Sequence, residues 1–583
     1  HVLVFVTPDV DGVCAWRILR HIFRQGQVLY TLIVVTGKTS LCSQFKINKN
    51  RFDRVVLINC GANFDVVEVL EPPENCLFFV CDSHRPINVN NFYNQRQVHL
   101  ITLNENLDDV PKFEDVFNDD LTDHSDEESG EDDQGGRQST TVRAAEKRIN
   151  RRRWERKRQE ILIEYESFSY HSTASAVVLF DLAWKLSQDN QQLLWCAIVG
   201  QTSQLMLNRI NRDHYIDQID YLQSQVSRLS HLGQALTEGL AKHAVSIDFE
   251  EELTLWLYRH WSLKDALETT MLTATRFKLF TEGGQKRLQE FLASIGLPRR
   301  DCAQKFSTMC AQVKNNINLL FLQFGEKFGF SRPELFLPSF TMRLVYKTPI
   351  SATDAFWLTL AALECQLQDA ADELSHYLLV IDQAGCCIVV DPFTFEKKVM
   401  TSWSMDSLDE SMEQLQGQLR CLVSQVRALL DTDEVVVFGP FLYVYIAKPF
   451  SLFSEDSSIA WRYIYYVCIL QEPRTGAIER VLPCLLLTVL FTLFSPKGRS
   501  KRITQMPLVL CVDSKEDENV LTLLGIPPLH GDDDRNLFGQ AFEVAVRRTK
   551  ARAEFKYFDS HCIELYREDM LKFFEALATL LSS

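Results

Sequence analysis

The sequence predicts an α/β protein with a doubly wound parallel-sheet lobe, a helical insertion and a smaller C-terminal α/β lobe. Three observations carry that expectation. Continuous β-branched and aromatic runs alternate with amphipathic stretches through residues 1–104. Helical periodicity then dominates from Trp154 to about Asn316. Strand-like runs return from Val435, and the chain closes on two helical patterns.

In order along the chain, Val2–Val6 is an unbroken apolar run, the signature of a strand buried on both faces. Similar runs follow at Leu32–Val35, Val55–Ile58, Leu77–Val80 and His99–Thr102, with an amphipathic stretch at Ala15–Phe23. Alternating strands and helices imply a parallel sheet. Residues 1–104 are therefore assigned to the first part of that domain and 161–245 to its helical completion. A small-residue turn, His171–Ser175, precedes an apolar helix at Ala176–Leu186, with Ser172 or Thr173 as its N-cap. Residues 246–345 form the helical insertion. Within it, Gln285–Ile295 reads as an amphipathic helix ended by Gly296 and Pro298. Residues 346–583 form the C-terminal lobe. It has helices near Thr353–Leu363 and Met405–Leu430, strands at Val435–Phe438, Phe441–Ile446 and Leu508–Val512, and helices at Asn536–Thr549 and Glu568–Leu581.

The segment 105–160 breaks the pattern. Residues 105–133 hold 14 acids and one base, and residues 137–158 hold 10 bases and two acids. The acidic part is expected to be a disordered arm and the basic part an exposed helix. Ser125-Asp-Glu-Glu within the arm suits an acid-directed kinase. Without these stretches, the formal charge of −16 becomes −11. That excludes a broadly basic coat for duplex DNA but not a local nucleic-acid groove.

Composition narrows the class further. With 583 residues, 46% hydrophobic and 24% charged, fibrous and mostly disordered readings are excluded. The 16 cysteines include no CxxC pair, so they read as buried free thiols in a reducing compartment. The chain opens directly in a strand-like run, which implies that an N-terminus is missing, and no signal peptide is visible. The apolar stretch Val481–Phe494 has 14 residues, short of the roughly 20 needed to span a bilayer. A soluble, intracellular protein with no membrane partner is expected. There is no phosphate loop of the Walker type and no G-x-S-x-G elbow, so neither ATP hydrolysis nor serine chemistry is expected.

The informative cluster lies where two strands end. Asp9-Val-Asp11-Gly12 follows the first strand, and Asp82-Ser83-His84 follows the fourth. Ligands of open parallel sheets bind beyond the carboxyl ends of strands. Carboxylates and an imidazole there suit a Mn or Mg ion held for phosphoryl chemistry. The same residues also suit structural work, Asp11 capping a helix that opens near Gly12 and Asp82 capping a turn ahead of Pro86. Spacing leaves both readings open. His260 reads as a packed helix residue. Lys497, Arg499, Lys501 and Arg502 form either a solvated loop or a contact to nucleic acid or an acidic partner. Arg547, Arg548, Lys550 and Arg552 decorate a late helix, whose C-terminus favours cations.

The D-x-D-G and Asp-Ser-His segments resemble motifs of the DHH phosphoesterase superfamily, to which the RecJ exonucleases belong. Longer segments resemble one eukaryotic branch, the cell division control protein 45 family. They are Leu57–Asn63, Phe79–Pro86, Ala197–Gly200, Arg276–Leu279, Gly284–Leu292, Gly439–Tyr443, Gly525–Pro528 and Phe538–Phe542. The resemblance spans nearly the whole chain. It implies a DHH lobe, a C-terminal DHHA-type lobe and a non-catalytic replication role in the nucleus. It also implies partners: the minichromosome-maintenance hexamer, GINS, replication polymerase and initiation factors, and, weakly, single-stranded DNA. Against the superfamily pattern, Asn59 stands at a ligand Asp, Ser83 at the first His, and Gly200–Asn208 contains no acid. Asp9, Asp11, Asp82 and His84 remain, too few for the four or five ligands of a two-metal centre. No catalytic residue, cofactor or resident metal is therefore expected. The alternative is an active Mn- or Mg-dependent single-strand 5′ exonuclease or phosphoesterase.

Overall fold

The computed structural model describes residues 1–103, 109–117, 137–236, 245–279, 281–344, 349–364, parts of 413–420, 435–446, 506–513, 519–528, 535–556 and 558–582. The basic run 497–502, most of the acidic arm and most of the helix expected at Met405–Leu430 lie outside them.

Strands β1 (Val2–Val6), β2 (Tyr30–Val34), β3 (Arg54–Ile58), β4 (Leu77–Cys81) and β5 (Val98–Leu100) form an all-parallel sheet in the order β2-β1-β3-β4-β5. Its strands read as continuous apolar runs because both faces are covered. Along β1, Val2, Val4 and Val6 enter one core while Leu3 and Phe5 enter another. Period-two alternation thus feeds two apolar layers from one strand. The first layer is closed by α1 (Val10–Gln25), α2 (Ser175–Lys185) and α3 (Gln191–Met206). Between these strands and α2, the basic segment forms a long helix, Arg137–Tyr165. It lies against residues 109–117, where Lys157 pairs with Asp115 at 2.9 Å and Arg158 donates to the Val116 carbonyl.

Two local expectations change. Ser172 and Thr173 do not cap α2; its N-cap is Ala174, with no side-chain bond of its own. Asp11 does not cap its own helix either. Asp9 is the N-cap of α1 and accepts from the Gly12 N–H.

The insertion is not wholly helical. Strands β6 (Val245–Leu253) and β7 (Phe336–Leu344) form a nine-pair antiparallel ladder, with β8 (Ile350–Ser351) beside β7. Polar and apolar residues alternate over Ser246–Phe249, but the three consecutive acids Glu250–Glu252 break the pattern and hid a strand inside a helical stretch. Helices between the two long strands pack around Phe277, Phe291, Phe321, Phe328 and Phe330. The helix Glu282–Ile295 ends as expected, with Gly296 at φ 78° in the left-handed region that glycine adopts without strain.

The C-terminal lobe is a six-stranded mixed sheet of β9 (Val435–Phe438), β10 (Phe441–Ile446), β11 (Leu508–Asp513), β12 (Val520–Ile526), β13 (Ala553–Phe555) and β14 (Cys562–Tyr566). Its order is β9-β10-β11-β12-β14-β13. Helices α4 (Phe538–Thr549) and α5 (Met570–Ser582) cover one face through Phe538, Phe542, Phe573 and Phe574. The lobes meet through paired backbone bonds between Ser169 and Asn536 and through the Asn63 amide on the Phe558 carbonyl. No helix among the described residues is long and apolar enough to cross a membrane.

Close approach of three helices depends on Gly200. A Cβ there would lie 2.7 Å from the Ala176 Cβ and 2.9 Å from an Asp11 carboxylate oxygen. Gly200→Ala is expected to destabilise the chain by about 1–3 kcal/mol, the usual range for overpacking. The urea midpoint of the full chain checks this.

Candidate functional site

Asp9, Asp11, Asn59, Asp82, Ser83 and His84 do converge at the carboxyl ends of β1, β3 and β4, and all six are buried. Backbone geometry explains the convergence. Asp9 and Asp11 sit at the β1–α1 junction, and Asp82 immediately follows β4. Asn59 follows β3 with φ 56°, a left-handed conformation that Asn and Asp tolerate better than most residues.

Each carboxylate is satisfied by the protein. Asp11 accepts from the N–H groups of Ser175 at 2.9 Å and Ala176 at 3.0 Å, and from the Asn59 amide at 3.0 Å. It therefore caps α2 across 164 residues of sequence, the task expected of Ser172 or Thr173. Asp82 accepts from the N–H groups of Gly61 and Ala62, both at 2.9 Å, and from His84 Nδ1 at 2.6 Å. Asp9 accepts from the Thr7 hydroxyl at 2.5 Å and from the Gly12 N–H at 3.1 Å. The Arg209 guanidinium closes the cluster 3.2 Å from Asp9 Oδ2. On its other side, the Asn59 carbonyl oxygen accepts from the Ser175 hydroxyl at 2.5 Å.

The electrostatics separate the two deeply buried acids. Burial, reinforced by the charge of Asp9, pushes the Asp11 carboxyl up to about 6 against the pull of its three donors. For Asp82, burial also raises the value, but the His84 charge and hydrogen bonds outweigh it and hold the carboxyl well below the usual range.

These residues do not fit a two-metal centre. The Asn59 amide points donor hydrogens at the carboxylates of Asp9 and Asp11, where a cation would need bare lone pairs. Arg209 supplies a fixed positive charge at Asp9. In the acid-free helical stretch, Gln201 accepts from the Ala174 N–H and Ser203 donates to the Gly200 carbonyl.

Sequence reasoning missed Arg209 and Ser175. Their spacing carries no motif, because each reaches the cluster only through the packing of α2 and α3 on α1. The other candidates lie apart. His260 is not packed in a helix; it is exposed on a turn and approaches Asp354 at 3.6 Å, beside the Arg259 pairs with Glu252 and Asp354. Arg547 pairs with Glu543, and Arg552 pairs with Glu568 and Asp569. Arg548 and Lys550 are exposed on and just beyond α4.

A cleft of about 390 Å³ opens beside the cluster, between the lobes. Its wall includes Lys38, Arg85, Arg209 and Arg547 but also Asp65, Glu68, Glu166, Glu543 and Asp559. With four bases against five acids it is not a basic channel.

The CDC45 profile matches residues 2–141 and 104–580. The human cell division control protein 45 homolog is 35% identical over 593 residues, covering 100% of this chain and 97% of the relative. This chain belongs to the CDC45 family. Membership makes it a DNA replication factor. The crystal structure of CDC45 from Entamoeba histolytica has the same fold, with a TM-score of 0.64 at 20% identity, covering 100% of this chain and 95% of that one. Manganese-bound RecJ from Thermus thermophilus aligns at a TM-score of 0.37 and 10% identity, over 100% of this chain and 52% of that one. That level carries no argument about the chemistry here. In the CDC45 fold of this chain, the strand-end cluster ties helices to the sheet.

Two outcomes follow. A folded-state value above the ordinary one means the folded chain binds the Asp11 proton more tightly than the unfolded chain does. The Asp11 contribution to stability therefore declines as pH rises from about 4 to about 6 and is constant above that. Urea midpoints across that range should show the slope in the wild type and lose it in Asp11→Asn. Separately, Arg209→Met removes one partner of a buried pair and is expected to cost about 3–5 kcal/mol, read as a lowered urea midpoint.

Proposed function

We propose that this chain is a non-catalytic subunit of the eukaryotic replicative helicase in the nucleus, binding the minichromosome-maintenance hexamer and GINS. It is an inactivated phosphoesterase in this reading. Replication polymerase and initiation factors are further partners. The observation that carries the reading is the Asn59 and Arg209 pair, which gives Asp9 and Asp11 hydrogen-bond donors from the protein itself. A carboxylate pair held this way structures the fold instead of polarising a phosphodiester. Membership in the CDC45 family supports the helicase assignment.

Single-stranded DNA contact is a weaker part of the same proposal. The balanced charge of the interlobe cleft supports low affinity, since backbone tracking requires a positive groove.

Incubation of the purified chain with Mn and single-stranded DNA is expected to release no nucleotide above an Asp9→Ala control. Turnover that disappears in Asp9→Ala would overturn the inactive reading and favour the exonuclease alternative. For the helicase role, a minichromosome-maintenance and GINS assembly is expected to unwind DNA far faster with this chain than without it. Equal unwinding without it sinks the assignment.

A further inference from the structure

We propose that His84, His171 and Asp559 form a binding site for one divalent transition-metal ion, with zinc as the best fit, which clamps the two lobes together. The sequence predicts no resident metal, and only His84 is among its candidate residues. The other two ligands come from elsewhere: His171 from the short strand paired with His84–Arg85, and Asp559 from the loop before β14.

The geometry points to an ion. One ligand atom from each side chain lies within 4.8 Å of the other two, and all three residues are buried. His84 Nε2 is 3.5 Å and His171 Nε2 is 4.0 Å from Asp559 Oδ1. Ligands on a tetrahedral zinc with bonds of about 2.1 Å sit roughly 3.4 Å apart. The two imidazole–carboxylate separations are thus close to that spacing, and the three ligand atoms all lie within 4.8 Å of one another. Two imidazoles and one carboxylate are a zinc-type donor set that leaves a fourth position for another ligand, and all three residues line the interlobe cleft.

The orientation of His84 is the second observation. Asp82 also accepts from the N–H groups of Gly61, Ala62 and His84, and as a carboxylate it takes the Nδ1–H of His84 across 2.6 Å. In the neutral imidazole, the Nε2 lone pair then faces the Asp559 carboxylate. Two electron-rich atoms at that separation repel, and either a cation between them or a proton on Nε2 relieves the repulsion; the buried two-imidazole, one-carboxylate set favours the cation. A carboxylate that orients a histidine by its far nitrogen is the usual outer shell of a metal ligand. This places Asp82 behind the interlobe site as a positioning residue. It also separates the site from the Asp9–Asp11 carboxylates, which Asn59 and Arg209 already satisfy.

The full chain, stripped with chelator and titrated with cobalt(II), tests the proposal. The expected result is a visible tetrahedral d–d band that saturates near one equivalent and is displaced by zinc. Asp559→Asn and His171→Asn should abolish the band, and Asp9→Asn should retain it. Asp82→Asn should weaken binding by about 10–100-fold. Native circular dichroism of each variant shows that it has folded, and the wild-type titration decides the matter should a variant fail to fold. A wild type without the band overturns the proposal and assigns the contact to an imidazolium–carboxylate pair. A band equal in wild type and Asp559→Asn, or one lost only in Asp9→Asn, overturns it as well.

Discussion

A single buried carboxylate organises much of the first lobe. Asp11 sits one turn past β1, yet the N–H groups it accepts belong to Ser175 and Ala176 at the start of α2. A helix beginning in a protein interior leaves N–H groups that must find acceptors. Here the acceptor is on another element. The bond therefore fixes where α2 begins and how it lies on the sheet. Gly200 lets α3 come within contact of the same pair. The strand ends, α1, α2 and α3 then form one unit whose polar centre is hydrogen-bonded by the protein itself.

That arrangement links fold and function. Donors from Asn59 and a cation from Arg209 make a buried acidic cluster stable in the absence of ligand. A centre built for phosphoryl transfer faces the opposite demand, since its carboxylates must stay available to cations. Satisfying them internally lowers the electrostatic cost of burying them. Beside this cluster, His84 meets the second lobe through Asp559.

Much of the fold was legible in the sequence. The unbroken apolar runs of β1, β3 and β4 are a direct consequence of burial on two faces, and the runs at β9, β10 and β11 read equally well. The β6–β7 ladder was not legible. Its Asp and Glu residues obscure the alternation, and its partner strand lies some 90 residues away, so pairing is decided by tertiary contact. Caps divided similarly. Gly296 ends its helix through a local backbone preference, whereas the cap of α2 came from a residue 164 positions upstream.

The site divides along the same line. The sequence alone determined that Asp9, Asp11, Asp82 and His84 would gather, because residues following parallel strands must emerge at one sheet edge. It also determined that Asn59, which cannot carry a negative charge, would stand among them. Tertiary structure alone decided what satisfies the carboxylates. Arg209, Ser175, His171 and Asp559 reach the cluster by helix packing and lobe closure, and neither leaves a fixed spacing along the chain.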